Sequence, residues 1–218
     1  MTDDKQPQAK SIQHQQMNDI LLQKKELRSC IRKTLKSFCE TPDYEDFSQK
    51  AAQLFLNSEL YRRAPLILAF VSLKTEIDTH ALIEKMMQDN KKIAIPLTSD
   101  TSMVFKLLQN EKPLCAQLQR GNYGIEEPVS ELEEIAPENL PEETVILVPG
   151  MAFSRSGARL GKGKGYYDNY LAQVPAATIL AGYAFQRQIM ETVPCEPHDR
   201  PVKYLVTEER ITHTACRN

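Results

Sequence analysis

Between Arg155 and Lys164 the chain carries Arg155, Arg159, Lys162 and Lys164, four cations in ten residues with no acid among them. The stretch from Arg159 to Leu171 reads RLGKGKGYYDNYL and holds Gly161, Gly163 and Gly165, three of the chain's eight glycines. Cations neutralise phosphate oxygens through charge-assisted hydrogen bonds. Glycines let the backbone turn tightly and bring its N–H groups against an anion, and a helix N-terminus completes such a nest. The chemistry these residues predict is recognition of a polyphosphate. The spacing is not a Walker A loop, because Gly163 follows Lys162, and not a dinucleotide fingerprint, because the glycines run G-x-G-x-G. The plainer reading is a surface loop of solvated lysines.

Asp168 closes the run. A carboxylate one helical turn past a phosphate nest repels the phosphate unless a cation lies between them. Two roles stay open for it. It is a Mg²⁺ ligand beside the nucleotide's own oxygens, or a first-turn acid facing the positive end of a helix dipole. Tyr166 and Tyr167 divide similarly between core packing and ligand stacking, since neighbours on a helix lie about 100° apart.

Other candidates are weaker. Lys24 and Arg28 in QKKELR stand four apart on one helical face, either a binding pair or a solvated basic face. Glu76, in TEID, follows a predicted strand, where sites are built, or leads the next helix. His198 and Asp199 in EPHDRP are adjacent and form no triad by themselves. The chain has neither a G-x-S-x-G elbow nor an HExxH metal motif. Asp199 either reaches the site or belongs to a proline-braced turn.

Regular elements must position these residues. Ile20, Leu27, Ile31, Leu35 and Phe38 recur at helical spacing from about Asn18 to Cys39. TPDYEDFSQKAAQLFLNSELY predicts one second helix, with acids in its first turn. PLILAFVS, KKIAIP, TVILVPG, ATILAGYAF and KYLVTEE predict strands, the apolar runs covered on both faces. SMVFKLLQ is a further short strand. TEIDTHALIEKMMQDN has a helical period, with Asp78 or Thr79 as N-cap. Strand–helix–strand order predicts a right-handed crossover and a parallel sheet. Residues 110–143 read mostly as loop, with a turn around GNYGIEEP, and a glycine-rich loop leads from TVILVPG to a helix starting near Gly165 or Tyr166.

The 218 residues suit one domain with a sizeable core. Residues 1–17, mostly polar and without an apolar run, read as a disordered leader to a single domain over 18–218. The formal net charge of −2 provides no global field for nucleic acid or an acidic membrane. Five scattered cysteines, never spaced CxxC, argue against a disulfide framework or a zinc ribbon and for a reduced, cytoplasmic setting. A nucleic-acid-binding module using the basic Gly/Tyr loop is the competing class. The acidic net charge, Asp168 beside the tyrosines and few other basic patches count against it.

PGMAFSRSGARLGKGKGYYDNYL resembles the signature of the 5-formyltetrahydrofolate cyclo-ligase family, also called methenyltetrahydrofolate synthetases. KKELR, TEIDT, KKIAIP, NYGIEEP, LVPGMAF and EPHDRPV follow the family's order, so the resemblance covers nearly all of the chain after the leader. It implies an α/β fold, a three-layer α/β/α domain with a mostly parallel central sheet, like sugar-phosphate isomerases and CoA transferases. It implies ATP- and Mg²⁺-dependent conversion of 5-formyltetrahydrofolate to 5,10-methenyltetrahydrofolate. By resemblance, Lys24, Lys25, Glu26, Leu27 and Arg28 contact the nucleotide, as do Arg159, Leu160, Gly161, Lys162, Gly163, Lys164, Gly165, Tyr166 and Tyr167. Arg159, Lys162 and Lys164 act in catalysis. Val71, Glu76 and residues Lys162 to Tyr166 border the folate, and Asp168 and Asp199 hold Mg²⁺. The implied partners are these small molecules, with no nucleic acid and no membrane, and the chain is expected to be a monomer. It departs from many members at Ser154 and Ala158, where Asp and a polar residue are common.

Overall fold

The computed structural model describes residues 5–121, 126–196 and 199–215. Helix α1 spans Lys5–Phe38, α2 Asp43–Leu56, α3 Glu59–Arg63, α4 His80–Gln88 and α5 Tyr166–Leu171. The strands are β1 (Ile67–Leu68), β2 (Ile93–Thr98), β3 (Met103–Leu107), β4 (Leu118–Arg120), β5 (Glu126–Pro128), β6 (Glu134–Ile135), β7 (Val145–Val148), β8 (Ala152–Ser154), β9 (Arg159–Leu160), β10 (Ile179–Tyr183), β11 (Ile189–Met190), β12 (Tyr204–Val206) and β13 (Ile211–His213).

Eight strands form one sheet in the order β13-β12-β10-β7-β1-β2-β3-β6. β12, β10, β7, β1 and β2 run parallel, while β13, β3 and β6 pair antiparallel at the two edges. The chain leaves β1 through α4 to β2 on one side, and later returns to β7 on the other. The strand order therefore reverses between β1 and β7, the place where open α/β sheets bind ligands.

Alternation along the strands sorts two cores, one per face. Ile67, Ile93, Ile95, Val145, Leu147, Ala181 and Tyr183 pack with Ile31, Leu35 and Phe38 of α1, Phe55 of α2 and Ile83 of α4. Leu68, Ala94, Ile146, Val148 and Leu180 turn the other way and meet Tyr170 and Leu171 of α5. Period-two side chains buried on both faces are what a helix-covered sheet requires. The layers are α/β/α as expected, but unequal, because α5 has six residues.

Several expectations change. Helix α1, expected to begin near Asn18, starts at Lys5 in the described backbone. Residues 5–17 are mostly Lys, Gln, Ala and Met without glycine, and Pro7 falls in the first turn, where its missing N–H has no intrahelical acceptor to lose. The single second helix splits into α2 and α3, because Ser58 takes an extended conformation and its Oγ accepts the Tyr61 N–H at 3.2 Å. Thr79 is the α4 N-cap position, yet its hydroxyl donates to the Phe70 carbonyl. Residues 110–143 contain short strands as well as loop, and the turn expected at GNYGIEEP falls largely on 122–125, outside the described residues. The glycine-rich loop begins as a hairpin, with β8 and β9 paired antiparallel and β11 joining β8.

Candidate functional site

The glycine segment sits beyond β7 because β9 ends at Leu160, which is buried, and α5 starts at Tyr166. The intervening backbone uses φ values of +98° at Gly163 and +73° at Gly165, a region that residues with a Cβ rarely enter. Gly165 is the N-cap of α5, so the loop passes directly into the helix. On the outer side Arg28 of α1 donates from Nε to the Gly161 carbonyl at 2.9 Å.

A cleft of about 830 Å³ opens at the carboxyl ends of β1, β2 and β7. Val71 and Glu76 line it from the segment after β1, and Arg159, Lys162, Lys164, Tyr166, Tyr167 and Asp168 line the opposite wall. Two acid–base pairs lie on this surface, the first joining the two walls and the second within one of them. Lys162 Nζ lies 2.6 Å from Glu76 Oε1, while Glu76 Oε2 accepts the Leu73 N–H at 2.9 Å. Arg159 pairs with Asp168 and also donates to the Pro149 carbonyl at 3.2 Å. Its guanidinium stands 5.7 Å from the Tyr167 ring centroid, within cation–π range. The buried Tyr167 hydroxyl lacks a hydrogen-bond partner among the described residues. Burial raises its pKa, the Glu76 charge adds to this, and Arg159 opposes it. The phenol therefore stays neutral, a donor rather than a base. Tyr166 donates its hydroxyl to the Ser99 carbonyl at 2.9 Å and ties the helix start to the β2–β3 turn.

The N-terminal candidates separate. Lys24 is buried and binds Glu196 Oε2 at 2.6 Å and Asp199 Oδ2 at 3.1 Å. Burial works to lower the Lys24 pKa, but hydrogen bonds to Glu196 and then Asp199 outweigh it and the value is raised. Asp199 Oδ2 also accepts the Glu196 N–H at 2.8 Å. Lys25 and Glu26 are exposed, and Leu27 packs on the core. Lys24 to Leu27 and Asp199 are not among the residues lining the cleft. Arg155 points elsewhere too, 3.6 Å from Glu191 on the surface. His198 lies outside the described residues.

Mg²⁺ takes hard oxygen donors and is usually held by one or two carboxylates with substrate phosphates. Asp168 fits that chemistry, being a cleft-lining carboxylate with 37% of its side chain exposed. No group of three or more His, Cys, Asp or Glu side chains suited to a metal occurs among the described residues.

Sequence reasoning missed the wall from β2 and its turn: Pro96, Thr98, Ser99, Asp100 and Met103. The signal was available, since LTSDTS follows a predicted strand on its carboxyl side. It also missed an adjoining brace. His80 bonds Asp78 Oδ1 through Nδ1 at 2.8 Å and Glu126 Oε2 through Nε2 at 2.9 Å, tying β5 to the start of α4. Ser154, one of the family departures, is buried, and its Oγ accepts the Ala158 N–H at 3.0 Å inside the β8–β9 hairpin.

Residues 21–208 match the model of the 5-formyltetrahydrofolate cyclo-ligase family. The chain is 30% identical to the Escherichia coli K12 5-formyltetrahydrofolate cyclo-ligase over 78% of this chain and 93% of that protein. It is 28% identical to the Haemophilus influenzae enzyme of the same name, over 82% and 94%. Among solved structures it is similar to the Aquifex aeolicus 5,10-methenyltetrahydrofolate synthetase, with a TM-score of 0.73 and 27% identity over 89% of this chain and 94% of that one. A Mycoplasma pneumoniae synthetase shares the fold, with a TM-score of 0.60 at 22% identity.

Proposed function

The chain belongs to the 5-formyltetrahydrofolate cyclo-ligase family, and from that premise we propose that it closes 5-formyltetrahydrofolate to 5,10-methenyltetrahydrofolate at the expense of ATP. The formyl oxygen attacks the γ-phosphorus, a P–O bond forms and the bond to ADP breaks. The carbon is then an N5-iminium phosphate. N10 adds to it, the C–O bond breaks, phosphate leaves and N10 loses its proton. Phosphorylation is needed because the oxygen of a formamide is a poor leaving group.

The observation that carries this reading is the convergence of Arg159, Lys162 and Lys164 on one cleft wall, opposite Glu76, at the switch point of the sheet. Fixed cations and backbone N–H groups neutralise charge on the transferring phosphoryl group, and phosphoryl transfer asks little covalent chemistry of the protein. Arg28 holds the loop in place from outside. Lys24 takes part by anchoring the segment that carries Asp199. Val71 and Glu76 face the folate, with Lys162 to Tyr166 between the two ligands. Asp168 would hold Mg²⁺ on exchanging Arg159 for the metal, which would supply charge neutralisation at the phosphate oxygens, and Asp199 would be a second ligand only if Lys24 released it.

The test is formation of the methenyl product, read by absorbance, from 5-formyltetrahydrofolate with and without Mg-ATP. Product that depends on ATP is expected. Folded protein that makes none overturns the proposal.

A further inference from the structure

We infer that the Lys162–Glu76 ion pair is an exchange element that couples the two substrate sites, so that nucleotide binding prepares the cleft for the folate. The inference rests on the function proposed above. Glu76 has 10% of its side chain exposed and Lys162 has 41%. The carboxylate is thus the fixed, enclosed partner, and the ammonium is the one reachable from the cleft. Lys162 lies between Gly161 and Gly163, on the loop whose neighbouring cations Arg159 and Lys164 share the wall. A triphosphate drawn to these cations competes with Glu76 for Lys162, and it carries more charge than one carboxylate.

When Lys162 turns to phosphate, Glu76 keeps the Leu73 N–H on Oε2 and loses its cation on Oε1. A buried carboxylate left in this way is costly. The pterin of the folate offers amide and amino N–H donors, which replace the lost partner. Without nucleotide those donors must instead compete with the ammonium at 2.6 Å. The same contact therefore stabilises the folate complex more when nucleotide is bound, which is positive coupling. By linkage the folate must tighten the nucleotide by the same factor.

Isothermal titration of 5-formyltetrahydrofolate, with and without saturating Mg²⁺ and a non-hydrolysable ATP analogue, measures the factor. Wild type should bind the folate at least about five-fold tighter with the analogue, and the reciprocal titration should give the same ratio. Lys162→Met should bind the folate several-fold tighter than wild type in the absence of nucleotide, because Glu76 no longer has a competing cation. Its own ratio should fall to near one. Lys164→Met, which removes a neighbouring cation but leaves the pair, should weaken the analogue and keep the ratio. A wild-type ratio of one overturns the inference, as does a Lys162→Met protein that binds the folate no better than wild type alone, or equal loss of coupling in both variants. No binding of 5-formyltetrahydrofolate under any condition overturns the proposed function instead, and the coupling with it.

Discussion

Lys24 and Arg28 stand one helical turn apart on the same face of α1, yet they serve two different regions. Arg28 reaches the Gly161 carbonyl and props the glycine loop, whose charge pairs face an open cleft. Lys24 is enclosed between Glu196 and Asp199, away from the cleft lining, in a clasp that fastens α1 to the proline-rich segment. The more exposed member of each cleft pair is Lys162 at 41% and Asp168 at 37%, whereas in the clasp it is Glu196 at 25%, with Asp199 at 14% and Lys24 at 8%. Accessible pairs are available to exchange partners with a ligand. Enclosed pairs resist separation, because either charge left alone is poorly solvated. On the proposed function, that difference puts the chemistry at the cleft and makes the clasp an anchor.

The largest effect should come from the cleft. Arg159→Met removes the cleft-lining guanidinium that pairs Asp168, and on the proposed function kcat/KM should fall by about 10²–10³-fold, the scale of losing one preorganised charge stabiliser. Far-UV circular dichroism and a thermal melt should show a folded protein. Asp168→Asn should leave the fold intact and shift the Mg²⁺ activation curve to higher concentration. An Arg159→Met protein with full activity would remove the reason for separating the two regions.

The clasp should respond in stability first. Lys24→Met leaves two carboxylates without their shared cation, and urea unfolding should show a loss of about 2 kcal/mol, typical of hydrogen bonds to charged groups. The comparison breaks if stability is unchanged while the KM for ATP rises, since Lys24 would then be a direct nucleotide contact.

The core strands were legible in sequence because burial on both faces writes continuous apolar runs, as in ILAF and VILV. The helix start at Tyr166 was legible from the glycines before it. The hairpin of β8 and β9 was not, since MAFSRSGARL mixes apolar, charged, hydroxyl and glycine residues and has neither a continuous apolar run nor a period. For the site, the loop cations and Glu76 could each be nominated from position. Their pairing could not, because contacts between Lys162 and Glu76, or Lys24 and Glu196, exist only once the sheet brings separate loops together. Arg155 shows the converse. It was counted with the loop cations, but the turn at Ser156 and Gly157 sends it to Glu191.

A smaller effect should appear in the pH dependence of the brace beside the cleft. The hydrogen bond to Asp78 raises His80, burial opposes this, Glu126 adds to it, and the pKa is about 9. The folded value lies above the ordinary 6.5, so the protonated ring favours the folded state. Its contribution is complete below about pH 6.5 and is lost as pH rises through about 9. Unfolding free energy measured from pH 6.5 to 9 should therefore fall in wild type by an amount absent from His80→Gln. Equal slopes in the two proteins would show that β5 is held without the charge.

The smallest effect belongs to Arg155. Its ion pair with Glu191 is 3.6 Å long, and both side chains are more than three-quarters exposed. Solvent screens such a pair and holding two long side chains costs entropy, so its contribution is within about 0.5 kcal/mol. Arg155→Ala should keep kcat and KM within about two-fold of wild type and leave the urea midpoint nearly unchanged. Sequence proximity put Arg155 four residues before Arg159 and in the same cluster. If proximity rather than cleft geometry decided function, its removal would weaken ATP as much as removal of Lys164, and a side-by-side KM measurement on the two variants separates these outcomes.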